Sequence, residues 1–189
     1  MTVRLITPRR IADDRGWFSE TFNAARYAEL GVRAAFCQDN HSLSRRRGTL
    51  RGLHYQRQPH PQAKLVRCLA GRIFDVAADI RRESPTYGRW VGVELTAAGG
   101  EQMFIPPGYA HGFLVLEDDC EVAYKVDNYY APASEAGIAW DDPELAIAWP
   151  LADGEAPLLS AKDSVLPTLV EAAPDFPYDG HPLGALETS

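Results

Sequence analysis

The sequence predicts an all-β fold, a sandwich or closed barrel, from three observations. Short runs of β-branched and aromatic residues alternate with polar ones, and most runs end at Gly, Pro, Asn or Asp. Only one early stretch, NAARYAELG (23–31), carries a helical pattern. Many short strands at regular spacing, joined by Gly/Pro turns, imply packed antiparallel layers, and the jelly roll is the common way to bury both faces at this size.

The elements can be justified in order. In the helical stretch Asn23 suits an N-cap, Tyr27 and Leu30 share one face, and Gly31 supplies the stop. KLVRCLAGRIFDVAADIR (64–81) is the clearest strand region. Leu65, Arg67 and Leu69 alternate with Val66 and Cys68, Ala70-Gly71 supplies a turn, and Phe74, Val76, Ala78 and Ile80 resume the period of two, which predicts a hairpin. RWVGVELT (89–96), EQMFIPPG (101–108), HGFLVLED (111–118) and EVAYKVDN (121–128) continue the series, punctuated by Gly99-Gly100, Pro106-Pro107-Gly108 and Asp118-Asp119. After Trp149 the chain is rich in Pro, Ala and Asp and weakly periodic, which predicts turns, short helical pieces and a loose tail from about residue 170. With no repeat or linker, residues 1–189 read as one domain.

Composition narrows the function classes. Lys and Arg number 19 against 26 Asp and Glu, a formal charge of −7, which disfavours nucleic acid as a partner. A local Arg cluster can still hold an anionic small molecule, because distant charge is screened. Cys37, Cys68 and Cys120 form no CxxC pair and read as small core residues, not as a disulfide framework or zinc site. The opening MTVRLITPRR becomes charged within ten residues and no later apolar run approaches a membrane span, so the expected address is the cytoplasm, off the membrane.

Two segments carry the motif pair of the cupin type of jelly-roll barrel. Gly48 is followed by five residues and His54; Gly100-x5-Pro106-x-Gly108-x2-His111 matches the partner motif. A metal-binding cupin needs a second His two residues after the first and a carboxylate soon after. Here those positions bring Gln56 and, in RQPHPQAKL, Lys64, a cation where a divalent metal wants an anion. His60, between two prolines, belongs to a surface loop. His54 therefore reads as a free imidazole in a barrel interior, available as a base, with no metal.

The strings QDNHS (38–42), LRGLHYQ (50–56), KLVRC (64–68), FDVAADIR (74–81), ESPTYGRWVGV (83–93), IPPGYAHGF (105–113), YKVDNYY (124–130) and LLSAKD (158–163) together resemble the dTDP-4-dehydrorhamnose 3,5-epimerase family over about residues 13–163. The resemblance implies a cytoplasmic, cofactor-free isomerase that acts on a dTDP-4-keto sugar, and a homodimer that exchanges N-terminal strands. Epimerisation beside a ketone requires a base, an electrophile for the enolate oxygen and an acid on the other face. His54 is the candidate base, oriented by Asp163; Lys64 is the candidate enolate stabiliser; Tyr124 is the candidate acid, its phenol poised by a neighbouring cation that Lys64 could supply, with Tyr130 next. By resemblance, His111, Asp75 and Tyr130 line the sugar pocket. Arg15 and Arg51 would clamp the diphosphate with bidentate guanidinium bonds. Glu20, Gln38, Asp39, Asn40, Glu135 and Lys162 meet the base and deoxyribose by resemblance alone.

Arg51 precedes His54 by three positions, so an unbroken strand would point them to opposite faces; a bulge at Gly52 would reconcile them, and otherwise Arg51 serves a neighbouring subunit or the barrel rim. The run Arg45-Arg46-Arg47 reads as a solvated turn, Trp17, Trp90, Trp140 and Trp149 as core or interface aromatics, and one ring of Tyr129-Tyr130 faces out if the strand is regular. Three other functions compete. A single-carbon epimerase would differ around the acid, a metal-dependent cupin isomerase or dioxygenase would bind metal, and a non-catalytic binder could dispense with His54, Tyr124 and Asp163.

Overall fold

The computed structural model describes residues 1–152 and 154–188. β1 (Arg4–Ile6), β2 (Ile11–Asp13) and β3 (Gly16–Phe18) precede helix α1 (Ala24–Glu29) and β4 (Gln38–Ser44). There follow β5 (Leu50–Gln56), β6 (Lys64–Ala70), β7 (Arg72–Asp79), β8 (Arg81–Arg82), β9 (Trp90–Thr96), β10 (Gln102–Ile105), β11 (Tyr109–Val115) and β12 (Cys120–Val126). β13 (Glu135–Gly137), helix α2 (Leu169–Ala172), β14 (Phe176–Pro177) and β15 (Glu187–Thr188) complete the order. Six strands form one sheet in the order β15-β1-β10-β6-β12-β4, and five form a second in the order β13-β5-β11-β7-β9, the two layers of a jelly roll.

The period of two decides what each sheet buries. Val66 and Cys68 of β6, Met103 and Ile105 of β10 and Val122 of β12 meet Ile73 and Ala77 of β7, Leu95 of β9 and Phe113 and Val115 of β11 in the space between the sheets. The alternate residues Val76, Ala78 and Ile80 point the other way and are covered by Ile138, Leu145, Leu169, Ala172 and Phe176 from the C-terminal segment. On the far side, Leu65 and Phe104 are covered by Tyr27 and Val32 around α1. Asn23 caps that helix, its Oδ1 accepting from the backbone N–H groups of Ala25 and Arg26 at 3.1 and 3.3 Å, and Gly31 leaves it at φ +84°.

Several expectations are corrected. Residues 64–81 do not form a hairpin: β6 pairs with β10 and β12, whereas β7 pairs with β11 and β9. Gly71, at φ +74°, carries the chain from one sheet to the other, so two amphipathic strands adjacent in sequence face each other across the core. Alternation fixes a strand's faces, not its partners. Cys68 and Cys120 are buried but Cys37 is exposed, because Phe36 takes the inward position beside it. Trp90 and Trp149 pack edge-on against Phe74, and Trp140 is half-buried. Trp17 is not in this chain's core: it is 58 % exposed, on a ribbon of β2 and β3 that joins neither main sheet and also exposes Ile11 and Phe18. Strand β12 ends at Val126, before Tyr129 and Tyr130, and both rings are exposed. Among the described residues, no helix is long and apolar enough to cross a membrane.

Candidate active site

Six strands, β4, β5, β6, β11, β12 and β13, aim polar side chains into one end of the space between the sheets, where the apolar core gives way to a cavity of about 520 Å³. His54 and His111 are cross-strand partners on β5 and β11. Lys64 takes the inward position that Val66 and Cys68 continue along β6, and Tyr124 does the same after Val122 on β12. Arg51, Glu135, Lys162 and Asp163 add to the polar lining.

A bulge at Gly52 brings Arg51 to the same cavity as His54. His111 pairs with His54 and Phe113 with Arg51, so two residues of β5 stand opposite the single Gly112 of β11. Gly52 adopts φ +121°, and a Cβ there would lie 2.6 Å from Gly112 Cα and 2.7 Å from the His111 carbonyl oxygen. Gly52→Ala is therefore expected to cost about 2 kcal/mol or more of stability. Urea denaturation against wild type measures it, and an unchanged midpoint would contradict the geometry.

His54 Nε2 lies 2.6 Å from Asp163 Oδ1. An ionised carboxylate only accepts, so Nε2 carries the proton and Nδ1 is left as the ring's basic atom. Burial pushes the Asp163 carboxyl up, but the His54 bond, the Ser160 hydroxyl and the Gly52 N–H outweigh it and hold it below the usual carboxylate range. Asp163 thus stays charged behind an imidazole that is still part-exposed to the cavity.

Lys64 is almost fully buried, and its Nζ donates to the His54 carbonyl oxygen at 3.1 Å and lies 3.5 Å from His111 Nδ1. Burial pulls its pKa down to about 8, with Asp75 and Glu135 opposing the fall. Tyr124 is half-buried, and burial raises its phenol above the ordinary value despite the Arg51 charge. The cation that bears on this phenol is Arg51, not Lys64 as expected, and it does not win; the phenol keeps its proton at neutral pH, as an acid must.

Asp75 does not line the cavity. It is fully buried behind His111, whose Nε2 lies 2.7 Å from Asp75 Oδ1, because β7 and β11 are paired directly and their inward side chains stack side by side. An annexe shared with His54, Lys64 and Tyr124 is lined by Gln38, Asn40, Tyr130 and Glu135. Asp39, between Gln38 and Asn40, points to the opposite face of β4 and pairs with Lys125 at 2.8 Å, so it leaves this set for a plain reason of alternation. Tyr130 donates to Glu135 Oε2 at 2.9 Å, and Glu135 is ion-paired with Lys162.

Gln56, where a metal cupin has its second histidine, spends its amide on the loop that carries Tyr130. It donates to the carbonyl oxygens of His60 and Tyr129 and accepts from the Ala131 N–H. His60 itself is exposed in a turn. Among the described residues, no group of three or more His, Cys, Asp or Glu side chains is arranged to hold a metal ion.

Arg15 and Glu20 are not in this chain's cavity. Arg15 sits at the tip of the β2–β3 ribbon, paired with neighbouring Asp13, and Glu20 pairs with Arg26 at 3.0 Å. The turn at Arg45-Arg46-Arg47 is exposed as expected, yet Arg45 and Arg46 also line the cavity mouth with Thr49, Leu158 and Ser160. Sequence reasoning passed over these because only the fold brings residues 158–160 alongside 45–49, through the Thr49–Leu158 bridge.

Comparison with known proteins gives the family. The family model described as dTDP-4-dehydrorhamnose 3,5-epimerase matches residues 1–171. The dTDP-4-dehydrorhamnose 3,5-epimerases of Pseudomonas aeruginosa and Escherichia coli are 53 % and 51 % identical to the chain, covering 85 % and 89 % of it and 87 % and 90 % of their own lengths. The crystal structure of dTDP-6-deoxy-D-glucose-3,5-epimerase from Legionella pneumophila, in complex with dTDP-4-keto-L-rhamnose, superposes with a TM-score of 0.86 at 49 % identity over 93 % of this chain and 94 % of that one. A match of this extent, on a jelly roll whose cavity pairs an Asp-backed histidine with a buried lysine, places the chain in the dTDP-4-dehydrorhamnose 3,5-epimerase family.

Proposed function

We propose that the protein epimerises dTDP-4-dehydro-6-deoxy-D-glucose at carbons 3 and 5 to dTDP-4-dehydro-L-rhamnose, by acid/base enolisation without metal or cofactor. The observation that carries this reading is the pairing of the His54–Asp163 dyad with the buried Lys64 ammonium in one cavity. His54 takes the proton from the carbon beside the ketone, and Asp163 stabilises the imidazolium that forms. Lys64 holds the oxygen on which negative charge develops, in surroundings dry enough for one preorganised donor to matter. Tyr124, kept protonated, returns a proton from across the cavity. Arg51, with Arg45 and Arg46 at the mouth, supplies positive charge for the diphosphate, and Gln38, Asn40, Tyr130, Glu135 and Lys162 shape the nucleoside end.

The test is incubation with dTDP-4-keto-6-deoxy-D-glucose in heavy water, followed by NMR of carbons 3 and 5. Deuterium at both carbons is the expected result. Label at one carbon alone would replace the double epimerase by a single-carbon one, and none at either would overturn the reading.

The working form in this proposal is one catalytic domain per chain, assembled as a homodimer in the cytoplasm, where a charged nucleotide sugar that cannot cross a bilayer unaided is retained. The exposed ribbon supports the dimer. A two-stranded hairpin presenting Ile11, Trp17 and Phe18 to water is marginal alone and is stabilised by docking on a second copy. Such docking would carry Arg15 toward the partner's diphosphate. Arg15→Ala and His54→Asn chains, each of low activity alone, are then expected to regain about a quarter of wild-type turnover when mixed and allowed to exchange, because one hybrid site in two is intact and hybrids make up about half of a random mixture. No recovery, with dimer confirmed by light scattering, would confine Arg15 to a role within its own chain.

A further inference from the structure

The proposed chemistry uses His54, Lys64 and Tyr124 but gives no task to a second, deeper Asp–His pair. His111 is 5 % exposed and Asp75 fully buried, their Nε2···Oδ1 distance is 2.7 Å, and Asp75 Oδ2 has no hydrogen-bond partner among the described residues. The pair lies beside Lys64, whose Nζ is 3.5 Å from His111 Nδ1.

We infer that Asp75 is a positioning residue for the enolate-stabilising Lys64: it fixes His111 as the neutral Nε2–H tautomer, so that Nδ1 accepts from the ammonium and one remaining N–H of Lys64 is aimed at the cavity. This rests on the function proposed above. The carboxylate can only accept, so the proton between His111 and Asp75 sits on Nε2, and a neutral ring then offers Nδ1 as an acceptor. Were His111 an imidazolium, an N–H would confront the Lys64 ammonium, and the contact would be repulsive. Burial keeps the His111 ring below its ordinary pKa, with the Lys64 charge adding to the effect and Asp75 opposing it. Two of three ammonium protons are thereby assigned, one to the His54 carbonyl and one to His111, which leaves the third for a ketone oxygen.

Asp75 also supplies the counter-charge. The ionisable groups that face this cluster are His54 and Arg51 from β5, Lys64 from β6, Asp75 from β7, His111 from β11, Tyr124 from β12, Glu135 from β13 and Asp163 from the 3-10 turn at Asp163–Val165. Of the acids, Glu135 is ion-paired with Lys162 and Asp163 is bonded to His54, whereas Asp75 has only the neutral His111 between it and the ammonium. Removing its charge while keeping its shape should make Lys64 easier to deprotonate.

Two measurements test this. In wild-type protein labelled with 15N-histidine, long-range proton–nitrogen correlation, with His111 assigned by signal loss in His111→Gln, is expected to give a protonated Nε2 and a bare Nδ1 throughout about pH 6 to 8. A proton on Nδ1, in either the other tautomer or the imidazolium, overturns the inference whether or not any variant folds. In Asp75→Asn, the alkaline limb of kcat/KM is expected to move down by about one pH unit, a loss of about tenfold above the limb with KM nearly unchanged. A folded variant with an unmoved limb overturns it as well. The NMR arm needs no substrate, so failure of the sugar reaction in wild type would be seen separately, as absent deuterium exchange.

Discussion

His54→Asn is expected to lower kcat for deuterium incorporation at carbons 3 and 5 by about 10²–10⁴-fold, with KM for the dTDP-sugar changed little. Asparagine is too short to reach Asp163 as Nε2 does, but the buried carboxylate keeps the Ser160 hydroxyl and the Gly52 N–H as partners, so the fold keeps its cavity while no basic nitrogen remains. The groups that hold the nucleotide end lie elsewhere in the cavity and are untouched. The measurement is single-turnover exchange in heavy water beside a thermal melt. A folded variant that retains more than about a tenth of wild-type exchange would move the base to another residue.

Lys64→Met is expected to have the next largest effect, about 10²–10³-fold in kcat, the usual loss when one preorganised donor to a developing oxyanion is removed. Methionine follows the course of the lysine stem through the buried channel and leaves out only the charged end. A pH profile gives the same answer without mutation. The working form of Lys64 is the ammonium, and burial lowers its pKa to about 8, so wild-type kcat/KM is expected to show an alkaline limb near that pH and to fall above it. The residual activity of Lys64→Met should lack this limb. A profile flat to about pH 10 in wild type would contradict the lowered pKa of Lys64, since an ordinary lysine titrates only there.

Much of the site was legible before the fold was known, for reasons of spacing. Gly48-x5-His54 and the Gly100 to His111 motif put each histidine at a fixed step beyond a turn glycine, and the structure pairs His54 with His111 across β5 and β11. Gln56 and Lys64 signalled by their chemistry that the usual metal ligands had been replaced, and both now have definite work, one on the Tyr130 loop and one beside His111. The bulge at Gly52 was required by the wish to use Arg51 and His54 together, and glycine was the residue able to provide it.

What the sequence by itself determined was local: which residues form strands, which face each side chain takes, and which residue types could move a proton. These follow from alternation, turn chemistry and acid/base character, all properties of near neighbours in the chain. The tertiary structure alone decided partnership. It sent β6 and β7 to opposite sheets where the pattern read as a hairpin, placed Asp75 behind His111 instead of in the cavity, and drew Arg45 and Arg46 to the cavity mouth beside Leu158 and Ser160. The physical reason is common to all three: local pattern gives a side chain its direction but not the strand or segment it will meet, and that choice is made by burial over the whole domain.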